Sequence, residues 1–482
     1  MSLKNLLTRM SIKRSSENSS LSPPVQPSIS SIGSQTQFKG ITTENQRKQL
    51  IIGLDFGTAY TKVVVGEDLI RYVVPLVDGG NNPIDNYLLP GAFWVCKNNV
   101  CSLKELNPDS DRKISDLKLH LLSKNVSEQA QIFICTFLAL TLRRIRAFIF
   151  IEKQNIYQSN YIDWFINVGL PTASFEKEQL NEMYIKLINT AWIVSSIESE
   201  ITLGLVAEVF KNPTGKHAGI GNTLNTEAIS VFPEFVAQVT GYVRSPLRQE
   251  GLHLLIDVGA GTLDITIFNV HRRDDEDCYS IFTKVVALYG TRYLVRHRIK
   301  GTSIIESGEL DSLATIPNKK RFAELLGINN NQLSEKDKEF HSKVLHLVEL
   351  SLGYTKTKRY PGSDHWTTGV PLFLCGGGSR CDFYRDIFPN KQNKIGSFSI
   401  KILNLPIPEG LESEGIKTQD YDRISVAYGL SLEPLDIGLI IKQCDVKDVE
   451  EQEIPGGVCP RCNGNGGLHG VCNRCGGSGW LP

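Results

Sequence analysis

The sequence predicts an α/β protein built from two lobes. Apolar runs typical of buried strands alternate with helical stretches from Gln49 onward, a pattern typical of helices packed on sheets. Two segments also share one design: residues 53–58 (GLDFGT) and 256–262 (IDVGAGT) each end a buried strand with an Asp, followed by Gly, Thr and a second strand. This repetition predicts two related lobes, each of which contributes one hairpin to a shared cleft.

The composition is that of a globular protein and excludes several classes. The 482 residues are 41% hydrophobic and 22% charged, and 52 basic residues balance 52 acidic ones. This balance argues against a nucleic-acid coat protein, and no apolar run reaches the ~18 residues of a transmembrane helix. Eleven cysteines, an odd number with one tight cluster and no secretory signal, predict a reducing, cytoplasmic setting.

The polar N-terminal region is expected to be a disordered tail over residues 1–48. It is rich in Ser, Thr, Gln, Asn and Pro, which bury too little apolar surface to offset chain entropy. Its first fourteen residues, MSLKNLLTRMSIKR, are basic and faintly amphipathic. A transit peptide or a surface-binding helix is therefore the alternative to a solvated leader.

The elements beyond the tail follow from periodicity. Short apolar runs bounded by turn residues predict strands, and longer runs with charges on one side predict helices. In chain order these are a strand, turn and strand over residues 50–66, a helix over 128–153, a strand over 164–169, a helix over 175–195, a strand, turn and strand over 251–270, a helix over 337–358, and a strand over 371–374 that runs into a Gly-Gly-Gly turn.

We expect five segments in all. They are the tail (1–48), lobe I (49–243), lobe II with a closing helix (244–434), a linker (435–456) and a zinc module (457–482).

The two Asp-x-Gly hairpins have a definite chemistry. Glycine lets the backbone approach a phosphate oxygen, and successive N–H groups in a turn form an anion cradle. An Asp beside a phosphate is repelled unless a cation lies between them, and Mg²⁺ bridges carboxylates and phosphates through its waters. Two facing hairpins therefore predict a magnesium–nucleotide complex held between the lobes.

These segments resemble a known superfamily. GLDFGTAYTKVVV and LLIDVGAGTLDITIF are similar to the two phosphate hairpins of the actin-like ATPases, whose fold is ribonuclease-H-like, and most of all to those of the seventy-kilodalton heat-shock chaperones. FLCGGGSRCDFY resembles their adenosine-binding motif, FPEFVAQVTGYV the helix that links the lobes, and SVAYGLSL the closing helix. The blocks occur in the family's order and span residues 51–432.

The resemblance implies a role for each matching residue. Asp55 and Asp257 would hold Mg²⁺ through water, Glu234 would orient or deprotonate the attacking water, and Lys118 would reach the terminal phosphate. Lys113 is the rival of Lys118, and Asp264 has either a metal or a fold-stabilising role. The nucleotide-binding residues would be Gly57, Thr58, Ala59 and Tyr60 of lobe I, Gly259, Ala260, Gly261 and Thr262 of lobe II, and Gly376, Gly377, Gly378, Ser379 and Arg380 at the adenosine.

The chain also departs from the chaperone pattern. Residues 433–482 are too few for a client-binding sandwich of about 100 residues and a helical lid. Residues 435–441 (LDIGLII) faintly resemble the apolar interdomain linker of the chaperones, and a final packed strand explains them equally well. Lys356, Lys358 and Arg359 either contact adenosine or form a basic helix end, which we favour.

The C-terminal cysteines predict a zinc site. Cys459 and Cys462 form one C-x₂-C, and Cys472 and Cys475 form another, which suits tetrahedral Zn²⁺. Metal would supply the folding energy of so short a module; a disulfide is the minor alternative, and His469 is a spare ligand. Both knuckles fit C-x-x-C-x-G-x-G, which resembles half of the cysteine-rich domain of DnaJ-type co-chaperones and implies binding of a client or partner.

Taken together, the sequence predicts a slow, magnesium-dependent ATPase of the heat-shock chaperone type, with ATP, Mg²⁺ and Zn²⁺ as cofactors. Its nucleotide would gate the binding of a protein client or a co-chaperone-like partner, with no direct nucleic-acid signal, no transmembrane segment and oligomers allowed. The alternatives are a polymerising actin-like filament protein and a non-hydrolysing nucleotide-sensing subunit. A sugar kinase is less favoured, because no sugar-site signature is present.

Overall fold

A computed structural model describes residues 31–121, 125–171, 175, 177–217, 224–301, 315–388 and 393–449. The predicted zinc ligands Cys459, Cys462, Cys472 and Cys475 lie outside these residues, as does the basic leader. Two seven-stranded sheets form the centres of two lobes, and a three-stranded sheet stands beside the first. Across the described ranges, no helix is long and apolar enough to cross a membrane.

The strands are numbered in chain order. They are β1 (Arg47–Phe56), β2 (Tyr60–Glu67), β3 (Ile70–Val73), β4 (Leu89–Pro90), β5 (Phe93–Val95), β6 (Cys101–Ser102), β7 (Arg112–Ile114), β8 (Tyr161–Leu170), β9 (Ile229–Pro233), β10 (Gly251–Val258), β11 (Leu263–Arg273), β12 (Glu276–Ala287), β13 (Val370–Cys375), β14 (Lys394–Ile395), β15 (Phe398–Leu403), β16 (Leu411–Glu412) and β17 (Leu439–Ile441).

The α-helices are numbered in the same way. They are α1 (Leu117–Leu121), α2 (Glu128–Glu152), α3 (Gln154–Tyr157), α4 (Glu178–Ser196), α5 (Leu203–Lys211), α6 (Glu234–Val243), α7 (Thr291–Ile299), α8 (Lys319–Leu326), α9 (Asn330–Tyr354), α10 (His365–Thr368), α11 (Asp382–Ile387), α12 (Ser425–Leu430) and α13 (Pro434–Ile437).

The two large sheets share one topology. In lobe I, β3, β2 and β1 form an antiparallel meander, and β8 and β9 continue the sheet in parallel beyond β1. In lobe II, β12, β11 and β10 repeat the meander, and β13 and β15 continue it in parallel beyond β10. This duplicated order confirms the expected two-lobed, actin-like α/β fold.

The central strands read as near-continuous apolar runs because both faces of the sheet are covered. In β1, every residue from Leu50 to Phe56 is buried, and α2, which lies in the same core, carries sixteen buried residues. The N-terminus of α2 is capped by Ser127, whose Oγ accepts a hydrogen bond from the Ala130 N–H at 3.2 Å. The strands and helices expected from periodicity are confirmed, with ends shifted by a few residues.

The expected tail is wrong for residues 31–46, which pack on lobe I. The Gln37 amide donates to the Ile162 carbonyl at 2.7 Å and accepts from the Ile162 N–H at 2.9 Å. The Phe38 ring meets the Phe150 ring edge-on at 4.6 Å. Strand β9 does not reach the first residues of β8. There the Gln37 side chain makes the backbone hydrogen bonds that a neighbouring strand would make. Composition alone does not reveal such an arrangement.

Two expected boundaries near the C-terminus are also wrong. The closing helix α12, assigned to lobe II, packs on β1 of lobe I, and β16 joins the lobe I sheet beside β3. Residues 439–441, assigned to the linker, form β17, which pairs in parallel with β12. The apolar Leu439–Ile441 run completes a sheet edge, so the packed-strand alternative is the one that holds.

Candidate functional site

A cleft of about 620 Å³ lies between the two hairpins. Its walls come from both lobes and include most of the residues expected from the sequence. These are Asp55, Gly57, Thr58, Ala59, Tyr60, Lys118, Glu234, Asp257, Gly259, Ala260, Thr262, Gly376, Gly377, Gly378 and Arg380. The two expected residues that do not line it are Gly261, whose Cα faces Leu119, and Ser379, whose Oγ donates to the Gly376 carbonyl at 2.7 Å.

The two hairpins hold their aspartates at equivalent places but surround them differently. Strand register sets Asp55 opposite Lys62 in lobe I and Asp257 opposite Asp264 in lobe II. The Lys62 ammonium lies 2.5 Å from the Asp55 carboxylate. Sequence reasoning overlooked Lys62, although its spacing from Asp55 equals that of Asp264 from Asp257.

Glu234 and Lys118 meet at one end of the cleft. Glu234 is the first residue of α6, directly after Pro233, and its carboxylate forms an ion pair with the Lys118 ammonium. Burial of Lys118 opposes its charge, but the carboxylates of Glu234 and Asp55 outweigh this and raise its pKa. The rival Lys113 lies on β7 with its ammonium 6.0 Å from the Trp94 ring centre, and it does not line the cleft.

The carboxylates of lobe II are buried and crowded. Burial and the charge of Glu234 raise the pKa of Asp257 to about 6, although the Gln238 amide donates to it at 3.1 Å. Burial and the charge of Asp257 raise the pKa of Asp264 to about 8. One oxygen of Asp264 accepts from the Thr262 hydroxyl at 3.1 Å, while the other is buried without a hydrogen-bond partner. Such a group is stabilised by a nearby cation.

The donor set fits magnesium better than a metal held wholly by protein. Asp55, Asp257, Asp264 and Glu234 line one cleft and supply hard carboxylate oxygens, which Mg²⁺ prefers, and one oxygen of Asp264 has no hydrogen-bond partner. Within the described residues, no three His, Cys, Asp or Glu side chains converge into a metal cage. Mg²⁺ keeps several waters and binds few carboxylates directly, so it does not need such a cage.

The glycine turn after β13 approaches Asp257 closely. Gly376 has φ +84°, and a Cβ there would lie 2.2 Å from Asp257 Oδ1. Both the backbone conformation and the space therefore require glycine at this position. The turn brings its N–H groups beside Asp257, where they can face an anion.

The part of the cleft around Arg380 is more polar than the sequence suggested. Arg380 is bound by both oxygens of Asp422 at 2.8 and 3.1 Å and by Asp420 at 3.3 Å. Arg423, which sequence reasoning missed, also lines the cleft. Lys356, Lys358 and Arg359 do not line it; Arg359 pairs with Asp448 at 3.0 Å, as a basic helix end would.

The arrangement can bind a polyphosphate chain. Two backbone turns offer N–H groups, Lys62 and Lys118 offer positive charge, and the carboxylates can hold a hydrated divalent cation against the phosphates. Glu234 adds a carboxylate that can accept a proton from water.

Comparisons with known proteins add little to this geometry. No family model matches the chain, and no curated protein matches it. Two solved structures of MreB5 from Spiroplasma citri, one bound to ADP and one to AMPPNP, are similar at 15% identity and a TM-score of 0.39. Each alignment covers 80% of this chain and 94% of the MreB5 chain. This superposition is too loose to support a functional inference, so the fold assignment rests on the strand order of the two sheets.

Proposed function

We propose that this chain binds ATP with Mg²⁺ between its lobes and hydrolyses it slowly, so that the nucleotide controls the lobes' closure. The observation that carries the proposal is the convergence of two Asp-x-Gly hairpins from separate lobes on one cleft that also contains Glu234 and Lys118. A structural turn explains one such hairpin, but it does not explain two that face each other across a shared space.

The residues divide the work by charge. Asp55 and Asp257 would hold Mg²⁺ through water, and the ion would neutralise charge that develops on the phosphates. Lys62 and Lys118 would turn from their carboxylate partners toward phosphate oxygens, which frees Glu234 to accept a proton from the attacking water. The Gly57–Tyr60 and Gly376–Gly378 turns would donate backbone N–H groups to the phosphates.

Nucleotide binding can be tested directly. Titration of the full chain with a fluorescent ATP analogue should show tight binding with Mg²⁺ and a loss of about tenfold or more in EDTA. Asp55→Asn and Asp257→Asn should each remove most of the magnesium effect. Asp382→Asn, at a half-exposed position on α11 that does not line the cleft, is the matched control and should bind as wild type does. Wild-type affinities in both cleft variants would refute the site, and binding without turnover would favour the nucleotide-sensing alternative.

What the nucleotide controls is a finer question. We propose that it controls polymerisation of the chain, as in the actin-like filament alternative, with ATP-gated client binding as the second candidate. Sedimentation of the protein with ATP and Mg²⁺ should then show a concentration-dependent pellet that EDTA prevents. An unchanged supernatant at every concentration, together with ATP-dependent capture of an unfolded polypeptide, would favour the chaperone-like reading.

The zinc module stays a prediction from the cysteines alone. We propose that Cys459, Cys462, Cys472 and Cys475 bind one Zn²⁺ per chain in the cytoplasm and form a site for a protein partner. Metal analysis of reduced protein should find one zinc per chain in the wild type and none in a Cys459→Ser, Cys462→Ser variant. Zinc-free wild-type protein would refute the site.

A further inference from the structure

One cation of the cleft lacks a carboxylate partner. Of the four basic side chains that line the cleft in the described part of the chain, Lys62 pairs with Asp55, Lys118 with Glu234, and Arg380 with Asp422. Arg423 forms no ion pair with any residue that the structure describes. Its neighbour Asp422 forms no ion pair with it, and both oxygens of Asp422 accept hydrogen bonds from Arg380 instead.

Arg423 lies between groups of the two lobes. It ends the 3₁₀ helix Thr418–Arg423, just before α12, and its guanidinium carbon lies 5.8 Å from the centre of the Tyr60 ring in the lobe I hairpin. Its Nη2 is 3.4 Å from the place where a Cβ on Gly377 of lobe II would stand. The guanidinium therefore lies between the two backbone turns whose N–H groups can face an anion.

The environment favours an anionic ligand. Burial and the neighbouring Arg380 lower the pKa of Arg423, so its charge is held at a cost. Asp422 and Asp420 raise the pKa only in part. A partly buried guanidinium without an ion-pair partner is unfavourable, and a bound anion relieves this. The planar fork of arginine also matches two oxygens of one phosphate.

The position of Arg423 along the cleft indicates which phosphate of a bound nucleotide it would contact. Glu234 and Lys118 mark the end where water attacks, and Arg423 contacts neither of them. Its neighbours are Tyr60 and the Gly376–Gly378 turn that leads toward the nucleoside. We propose that Arg423 is a phosphate-binding residue that holds a non-transferred phosphate of the bound nucleotide, an inference that rests on the proposed function.

The test compares ligands that differ by one phosphate. Dissociation constants for adenosine, AMP, ADP, ATP and inorganic pyrophosphate are measured by calorimetry for the wild type, Arg423→Gln and Arg423→Lys. We expect Arg423→Gln to weaken ADP, ATP and pyrophosphate by a similar factor of about tenfold or more and to leave adenosine unchanged. The affinities of Arg423→Lys should lie between those of the wild type and Arg423→Gln, because lysine keeps the charge but not the planar, forked guanidinium. Arg385→Gln, at an exposed position on α11, is the control.

The outcomes separate this inference from the proposed function. Equal loss of adenosine binding would place Arg423 at the nucleoside and overturn the inference, as would unchanged affinity for every ligand. A wild type that binds pyrophosphate but no nucleotide would refute the proposed function, while loss of pyrophosphate in Arg423→Gln would still support the inference. A wild type that binds no ligand refutes both. Thermal unfolding of each variant shows whether a loss of binding reflects a loss of fold.

Discussion

Single residues in this molecule matter mainly through charges that are neutralised in pairs. Lys62 and Asp264 occupy equivalent places in the two hairpins but have opposite charge, so one aspartate of the cleft faces a cation and the other a second carboxylate. Lobe I thus pairs its aspartate with a lysine, while lobe II places no cation opposite Asp257. Burial first, and then neighbouring carboxylates, Glu234 for Asp257 and Asp257 for Asp264, raise the pKa values of these two groups.

Glu234→Gln should separate binding from turnover. The amide keeps the size of the side chain but cannot accept a proton from water, so we expect ATP affinity within about threefold of wild type and turnover reduced by about 10²-fold or more. Fluorescent ATP binding and steady-state phosphate release measure the two effects. Glu335→Gln on the surface of α9 serves as the control. Equal losses in affinity and rate would assign Glu234 a structural role.

His253 should make lobe II sensitive to acid. It lies wholly buried between the rings of Phe268 and Phe373, at 5.5 and 6.0 Å, and burial lowers its pKa from 6.5 to about 4. Between these values the unfolded chain binds more protons than the folded one. The free energy of unfolding therefore falls as pH drops through this window, by up to about 3 kcal/mol at its lower end.

Urea unfolding between pH 7 and pH 4 measures this dependence. His253→Gln has no proton to take up, so its stability should change less with pH than that of the wild type, whatever its absolute value. Parallel curves for the two proteins would show that His253 does not contribute.

Much of the site was visible at the residue scale in the sequence, and two of the missed residues share a cause. Asp55, Asp257 and Gly376 belong to short contiguous motifs whose backbone shape carries the signal. Arg423 belongs to no such motif, because its role depends on Tyr60 and Gly377, which are distant in sequence. Gln238 lies inside a helix and reaches Asp257 only through tertiary packing.

At the element scale, α12 is the point of closest packing. A Cβ on Gly429 would lie 2.0 Å from the Ala237 carbonyl oxygen of α6, and one on Gly53 of β1 would lie 2.2 Å from the Ala427 carbonyl oxygen. Two missing side chains therefore let the closing helix contact both α6 and the central strand of lobe I.

Gly429→Ala should destabilise the protein for this reason. The added methyl group meets a rigid backbone rather than a flexible side chain, so we expect a loss of about 1–3 kcal/mol in the free energy of unfolding. Gly353→Ala in α9 is the matched control, because a Cβ there meets no atom within 4 Å. It should be neutral or stabilising by up to about 1 kcal/mol. Chemical denaturation compares them, and equal stability of the two variants would contradict the close-packing explanation.

Elements with long apolar runs could be predicted from the sequence, whereas elements that form only by contact with a distant segment of the chain could not. Helix α2 and strands β1 and β10 carry their own periodicity. Strand β16 has only two residues and exists because β3 offers an edge. The packing of residues 31–46 depends on Gln37, whose polarity suggested disorder. In the fold, the Ile162 backbone satisfies the Gln37 amide with two hydrogen bonds.

At the scale of the whole molecule, one buried ion pair joins the lobes across the cleft. Asp116 directly precedes α1, the helix that contains Lys118. Its carboxylate lies 3.0 Å from the guanidinium of Arg292 on α7, and both side chains are largely buried. The start of α7 is itself tied to the lobe II hairpin, because the Arg292 N–H donates to the Ala260 carbonyl at 2.9 Å. The pair therefore links the segment that contains Lys118 to the lobe II hairpin.

Breaking this pair should speed nucleotide release. Arg292→Met keeps the length of the side chain but removes the charge, so we expect the dissociation rate of a fluorescent nucleotide to rise several-fold. Asp116→Asn should do the same, and the double variant should add little to either single one. Arg244→Gln, from the more exposed pair with Asp436, should leave the rate unchanged. Fully additive effects in the double variant would show that the two residues act separately.

The return of the chain to lobe I through β16 and α12 also bears on its synthesis. The first lobe to leave the ribosome lacks its last sheet strand and the helix that covers β1 until about residue 430 has been translated. At about 5–20 residues per second, this leaves the lobe incomplete for roughly 20–70 s after β3 has been made. The apolar face of the sheet that α12 covers in the finished protein stays exposed during that interval, so the nascent chain should need protection from aggregation more than the finished protein does.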